Sequence, residues 1–337
     1  MTIPRGRVWK ISLACAMLLL IGCARTQTPK VVAYIALDEM YARPILDDFE
    51  HQTGIRVLAV YDTEASKTTG LVQRILAERG RPRADVFWNN EVVQTIVLKN
   101  AGVLEPYASS SATEIPDRFK DAEHFWTGFA ARARVIIYNT DMVTEPPRDL
   151  PGLLDPKWKG NVAIANPLFG TMATHAAALF ALWGDDKARK FFADLKANNV
   201  AILAGNAAVR DAVGRGEYAV GLTDTDDANG GVEDGLPVRW LIAGADSGAL
   251  VIPNSVAVVK GGPHPEEAKR FVDFLLSPHV EESLARSRSI QIPVRPIAGL
   301  PDVVPNLADL TLTPIDFDVA AVAMESSASF IRSNFQP

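Results

Sequence analysis

The chain has 337 residues, nearly half of them apolar, with 34 Lys and Arg against 40 Asp and Glu and only 2 Cys. This composition excludes a disulfide-stapled miniprotein, a collagen-like fibre and a disordered chain. The net charge of −6 argues against a nucleic-acid partner, and a length above roughly 250–300 residues divides into two compact units, each with its own core.

At the N-terminus Arg5, Arg7 and Lys10 precede an apolar run over 11–21, followed by Gly22 and Cys23. A charged start, a short apolar stretch and a small residue form the pattern of a secretory leader, and the run is too short for the about 20 residues of a membrane-spanning helix. Leu20, Ile21, Gly22 and Cys23 resemble the lipobox of bacterial lipoproteins, which implies a signal peptide over 1–22, acylation at Cys23 and a lipidated tether over 23–30. The expected location is the periplasm or cell envelope, with lipid as the only membrane contact. Removing 1–22 takes away three cations and no acid, so the net charge becomes −9; it also removes Cys15, leaving no free thiol beyond the acylated position.

In the remaining chain, 31–36 reads as a buried strand and 39–52 as a helix with Ile45, Leu46 and Phe49 on one face and Gly54 as its stop. A strand over 55–60, a helix over 69–78 and a strand over 85–88 follow. Beyond a Pro-rich stretch the pattern resumes: strand 162–165, helices 174–183 and 186–198, strand 218–222, strand 250–259 and helix 265–276. Such alternation predicts an α/β fold with a largely parallel sheet. The segments 129–138 and 250–259 are placed to cross between two lobes around a cleft. An apolar helical stretch near 317–324 is expected on the second lobe.

Ligands of open α/β sheets sit beyond the carboxyl ends of the strands. The segments there are Leu37 to Tyr41 with Asp38 and Glu39, Asn89 to Glu91, Asn166 to His175 with Gly170, Thr171 and Thr174, and Thr223 to Asp227 with Asp224, Thr225 and Asp226. Asp, Asn and Thr are also ordinary helix caps, so each alone is weak. Together they suit a hard metal or an organic cation, and Gly170 with Thr171 before a helix suits an anion. A calcium loop starting at Asp224 fails, because the required glycine is Asn229 and the closing glutamate is Gly235. No nucleophile elbow, zinc-protease motif, Walker loop or dinucleotide fingerprint is present, so an enzyme is not expected; a hydrolase would have to use Asp226 or Glu91 with His175.

Several stretches taken together resemble the extracellular solute-binding proteins of the ferric-iron type: Phe49 to Val57, Ala84 to Trp88, Ala133 to Thr140, Leu154 to Gly160 and Pro265 to Val272. The resemblance implies a two-lobed, type II periplasmic-binding-protein fold with hinge strands, monomeric, without catalytic residues or a resident cofactor. It would hand a metal ion or small molecule to an ABC permease and its ATPase. Lobe one is expected over 31–131 with 253–298, and lobe two over 132–252 with 299–337. The family's metal places match Asp38, Asn90 or Glu91, and Thr225 with Asp226, so that a bound metal would use Asp38, Glu91 and Asp226. Its anion place matches Gly170, Thr171 and Asn206, and its inter-lobe arginine matches Arg132. The adjacent tyrosines that hold iron in the family are absent, which keeps 2-aminoethylphosphonate or another small cation or zwitterion as the alternative ligand.

Overall fold

The computed structural model describes residues 28–62, 68–244 and 248–335; the expected leader and Cys23 lie outside the described residues. In chain order the first half contains β1 (Lys30–Ile35), α1 (Glu39–Thr53), β2 (Arg56–Tyr61), α2 (Thr69–Ala77), β3 (Val86–Asn89), α3 (Val93–Asn100) and β4 (Leu104–Glu105). β1 pairs parallel with β2 and β3. A parallel strand covered on both faces needs apolar residues almost throughout, and Val31, Ala33, Tyr34 and Ile35 are all buried. α1 buries Ala42, Ile45, Leu46 and Phe49 and stops at Gly54, whose φ of 68° is the left-handed conformation glycine adopts freely. The Phe49 ring lies 4.9 Å from Phe271 and 5.3 Å from Phe274, a packing whose loss on truncation to Ala would cost about 3–5 kcal/mol.

The chain continues through β5 (Thr127–Asn139), β6 (Val162–Ala165), α4 (Gly170–Trp183), α5 (Asp185–Ala197), β7 (Ala201–Leu203), α6 (Asn206–Gly214), β8 (Val220–Asp224), α7 (Thr225–Glu233) and β9 (Val238–Ile242). Then come β10 (Val251–Val259), α8 (Pro265–Leu275), α9 (Pro278–Arg286) and α10 (Phe317–Asn334). The strand order is β2-β1-β3-β10-β5-β8-β6-β7, with β4 beside β10 and β9 beside β5.

β5 is the bridge between the two half-sheets. Its first part pairs antiparallel with β10, from Thr127 opposite Val256 to Ala133 opposite Val251. From Arg134 onward it pairs with β8 and β9 instead. The β10 register slips between Pro253 and Asn254, facing Ala130, which holds a φ of 40°. The structure is therefore a two-lobed, type II periplasmic-binding-protein fold with β5 as its hinge strand.

α4 begins at Gly170, four residues before the start expected from periodicity, and is buried continuously from Thr171 to Phe180. It has no polar face to produce an amphipathic period because it is covered from both halves. Ala173 and Ala177 pack with the lobe-one residues Tyr34 and Phe87, whereas Met172, Ala176 and Leu179 join the core around β6 and β8. α10 is likewise shared: Phe317, Ala320 and Met324 belong to the first of these cores and Ile331 to the second.

Candidate functional site

The carboxyl ends of β1, β3, β6 and β8 meet in one cavity. On lobe one, Asp38 follows β1 as the N-cap residue of α1 and Asn90 follows β3. The Asn90 side chain accepts a 2.7 Å hydrogen bond from the Thr68 hydroxyl, which fixes its orientation. Glu91 turns inward and is fully buried: its carboxylate accepts from Asn89 Nδ2 at 2.6 Å, from the Gln94 N–H at 3.0 Å and from the Thr174 hydroxyl of α4 at 2.5 Å. Burial pushes the Glu91 carboxyl above its ordinary range, although the bonds from Thr174, Asn89 and Gln94 oppose the shift.

On the hinge strand, Arg132 and Arg134 are two residues apart and so project to the same side of β5. Both are almost wholly buried. Arg132 Nε lies 3.2 Å from Asp226 Oδ2 on lobe two, while its Nη1 donates to the Asn90 carbonyl on lobe one. Burial by itself would lower the Arg132 pKa, but Asp226, Asp224, Asp38 and Asp227 outweigh that and raise it. Arg134 is ion-paired with Asp224 through Nη1 and donates from Nε to His175 Nδ1 at 3.2 Å. His175 is held far below its ordinary pKa, first by burial and then by the Arg134 charge, so it is a neutral acceptor.

On lobe two, Asp224 also accepts from the Thr171 hydroxyl at 2.5 Å and from Asn206 Nδ2 at 2.8 Å. Its carboxylate is thus saturated by a guanidinium, a hydroxyl and an amide. The N-terminal ends of α1, α4, α6 and α7 open on the cavity, and none of their N-cap residues makes a side-chain cap hydrogen bond. Helix starts present N–H groups without intrahelical partners and a partial positive charge, which favours negative or polar ligand atoms. Asp224, Asp226 and Asp227, at the start of α7, bring carboxylate oxygens within 4.8 Å of one another. Tyr41 of α1 stands in the same field: burial and then Asp226, Asp227 and Asp38 push its phenol pKa up.

Of the residues expected from sequence, Asp38, Asn90, Arg132, Asn166, Gly170, Thr171, Asn206, Asp224 and Asp226 line the cavity. Glu91, Thr174, His175 and Thr225 lie behind its wall; the Thr225 hydroxyl accepts from the Ala133 N–H at 3.3 Å, and the other three form the contacts above. Glu39 points to solvent and pairs with Arg43 at 3.1 Å. Asp227 and Phe169, inside the strand-end segments, also line the cavity, as does Gly205, which no sequence signal marks; Arg134, behind Asp224, carries no role assigned from sequence. The two-residue spacing from Arg132 is the signal that would have found Arg134.

The family model for the bacterial extracellular solute-binding proteins matches residues 84–320. The chain belongs to this family. It is 27% identical over 275 residues to the major ferric iron-binding protein of Neisseria meningitidis serogroup B, covering 79% of this chain and 81% of that protein. It is 26% identical over 313 residues to the Fe(3+)-binding periplasmic protein of Serratia marcescens, covering 90% of each. Among solved structures, iron-bound HitA from Pseudomonas aeruginosa superposes with a TM-score of 0.81 at 26% identity, covering 91% of this chain and 100% of that one. AfuA from Actinobacillus pleuropneumoniae, with fructose-6-phosphate bound, gives 0.82 at 23% identity over 91% and 99%, a likeness of fold.

Proposed function

We propose that this solute-binding component of an ABC importer captures a small organic solute bearing both an anionic and a cationic group. The anionic group would lie at the starts of α4 and α6, near Gly170, Thr171 and Asn206, with the cationic group toward Asp38, Asp226 and Asp227. The observation that carries the reading is the pairing of carboxylates with buried guanidinium groups: Asp224 with Arg134, and Asp226 with Arg132. A ferric ion at these oxygens would have to displace or repel two fixed cations. The Tyr41 phenol, pushed up by burial and three carboxylates, is a poor source of phenolate for iron.

The cavity holds about 20 Å³ between the lobes, room for about one water molecule, so a solute of several heavy atoms enters with the lobes parted. Closure then follows from differential affinity for the closed arrangement, with β5 as hinge between 31–131 with 253–298 and 132–252 with 299–337, the first half of α10 packing instead on the lobe-one core. Export through the leader, acylation of Cys23 and delivery by a monomer to a permease driven by its ATPase complete the proposal. A metal remains the second reading, favoured by the proximity of Asp224, Asp226 and Asp227 and by the iron-binding relatives. A thermal-shift screen of the metal-free protein separates the two, because a ligand that binds only the native state raises the melting temperature. Stabilisation by an aminoalkyl phosphonate or amino acid supports the proposal, and stabilisation by ferric ion alone refutes it.

A further inference from the structure

The opposite end of the lobe-one sheet has a different character from the cleft. β1 and β2 start side by side, with Lys30 opposite Arg56. β1 pairs with β3 from Ala33 opposite Val86, and stepping that register back to Lys30 reaches Arg83. Arg79 and Arg81 precede Arg83 in the same loop, and Lys260 follows β10: Arg79, Arg83 and Lys260 line one groove with Pro82. Arg56, Arg79, Arg81, Arg83 and Lys260 are exposed and Lys30 is half-buried. Among the described residues none of these six cations takes part in an ion pair, whereas nearby carboxylates are engaged elsewhere. Glu78 accepts from the Tyr34 hydroxyl at 2.8 Å and pairs with Arg74 at 3.0 Å; Asp85 is buried against the Val32 N–H and His264. In a chain of net charge −6 this is a concentrated unneutralised positive face.

We infer that this face of lobe one docks on an anionic phospholipid surface. Two observations select lipid as the occupant. The six cations are complementary to anionic headgroups, which attract Lys and Arg within about a Debye length of the surface. The chain also enters the fold at this face, through Lys30, so that the 29 residues before it, including the apolar run over 11–21 and Cys23, connect here and nowhere else. The inference holds whether or not Cys23 carries lipid and does not depend on the identity of the solute. The cleft lies about 20 Å away, at the other end of the six-residue β1, so the docked receptor presents its cleft to the surrounding solution. That is a posture for capture, and delivery requires release from the surface.

The test is cosedimentation of the chain from Thr28 onward, which contains every described strand and helix. The probes are vesicles of phosphatidylcholine alone and of phosphatidylcholine mixed with phosphatidylglycerol. The protein should sediment with the mixed vesicles at low salt, come off as salt is raised, and stay in solution with the neutral ones. R79E/R81E/R83E should lower the apparent affinity about tenfold or more, while K159E on lobe two leaves it unchanged. R79Q/R81Q/R83Q, with a melting curve like that of the native chain, guards against loss through misfolding and should bind at intermediate strength. Equal binding to both vesicle types overturns the inference, as does a triple variant that melts and binds like the native chain.

Discussion

The carboxylate of Glu91 on lobe one accepts a 2.5 Å hydrogen bond from the Thr174 hydroxyl of the central helix α4, deep between the lobes. Both residues are fully buried, so the contact joins the two halves behind the cavity wall rather than at its mouth. A second link lies outside: Arg288, just beyond α9, pairs with Asp234 at the end of α7 and lies 3.5 Å from Glu233. An inner and an outer contact thus flank the Arg132–Asp226 pair.

Thr174→Val keeps the shape of the side chain but removes the donor, leaving a buried carboxylate one bond short. It should destabilise the closed arrangement by about 1–3 kcal/mol and increase the radius of gyration of the solute-free protein in small-angle scattering. An unchanged scattering curve would show that the bond does not hold the lobes together.

The raised Glu91 pKa has a defined sign. Its folded-state pKa exceeds the ordinary value of 4.5, so the folded state binds the proton more tightly than the unfolded one. The stabilisation from this group is therefore complete below about pH 4.5 and is lost as pH rises through the folded pKa. Glu91→Gln should show a weaker fall in melting temperature across that interval. Parallel melting-temperature profiles for the two proteins would contradict the assignment.

Arg134 and Asp224 form a buried pair in which each depends on the other. Arg134→Met alone leaves Asp224 charged and uncompensated and should cost about 3–5 kcal/mol in urea unfolding. It also removes the charge that depresses His175, whose pKa should rise in an NMR titration. The double change Arg134→Met with Asp224→Leu should recover much of the stability; additive losses would mean that the two groups act independently.

Much of this arrangement is legible in the sequence, because β1, β3 and β6 are short apolar runs and α1 and α8 have clean amphipathic faces. The starts of α6 and α7 were not. α7 opens with Thr225, Asp226, Asp227, Ala228, Asn229, Gly230 and Gly231, a composition of low helix propensity. Gly231 is favoured by packing instead: a Cβ there would fall 2.9 Å from Arg210 Cγ of α6. α4 hid its first turn for a different reason, being buried on all sides, so that Thr171, Thr174 and His175 mark no solvent face. The convergence of Asp38, Arg132 and Asp226 follows from strand order, but the neutralisation of Asp224 by Arg134 depends on side-chain direction across β5 and β8, which no linear pattern records.

Asp226 faces the cavity and also the hinge arginine, so Asp226→Asn should weaken solute binding at least about tenfold while leaving a cooperative melt. Arg132→Lys should not rescue the site, because one ammonium cannot reach both Asp226 and the Asn90 carbonyl as the guanidinium fork does. Glu39→Gln, on the solvent side of α1, is the control and should bind normally. Loss of affinity in Glu39→Gln equal to that in Asp226→Asn would move the site outward along α1.

Guanidinium-paired carboxylates are proposed to make this cleft a receptor for a small charged organic solute rather than for ferric iron. Isothermal titration calorimetry of the metal-free protein tests it directly, with ferric ion buffered by a weak chelator in one series and aminoalkyl phosphonates and amino acids in the other. A member of the organic series should give a saturable one-to-one heat, abolished in Asp226→Asn, and iron should give no heat beyond chelator exchange. A one-to-one ferric isotherm that survives the chelator and disappears in Asp226→Asn would contradict it.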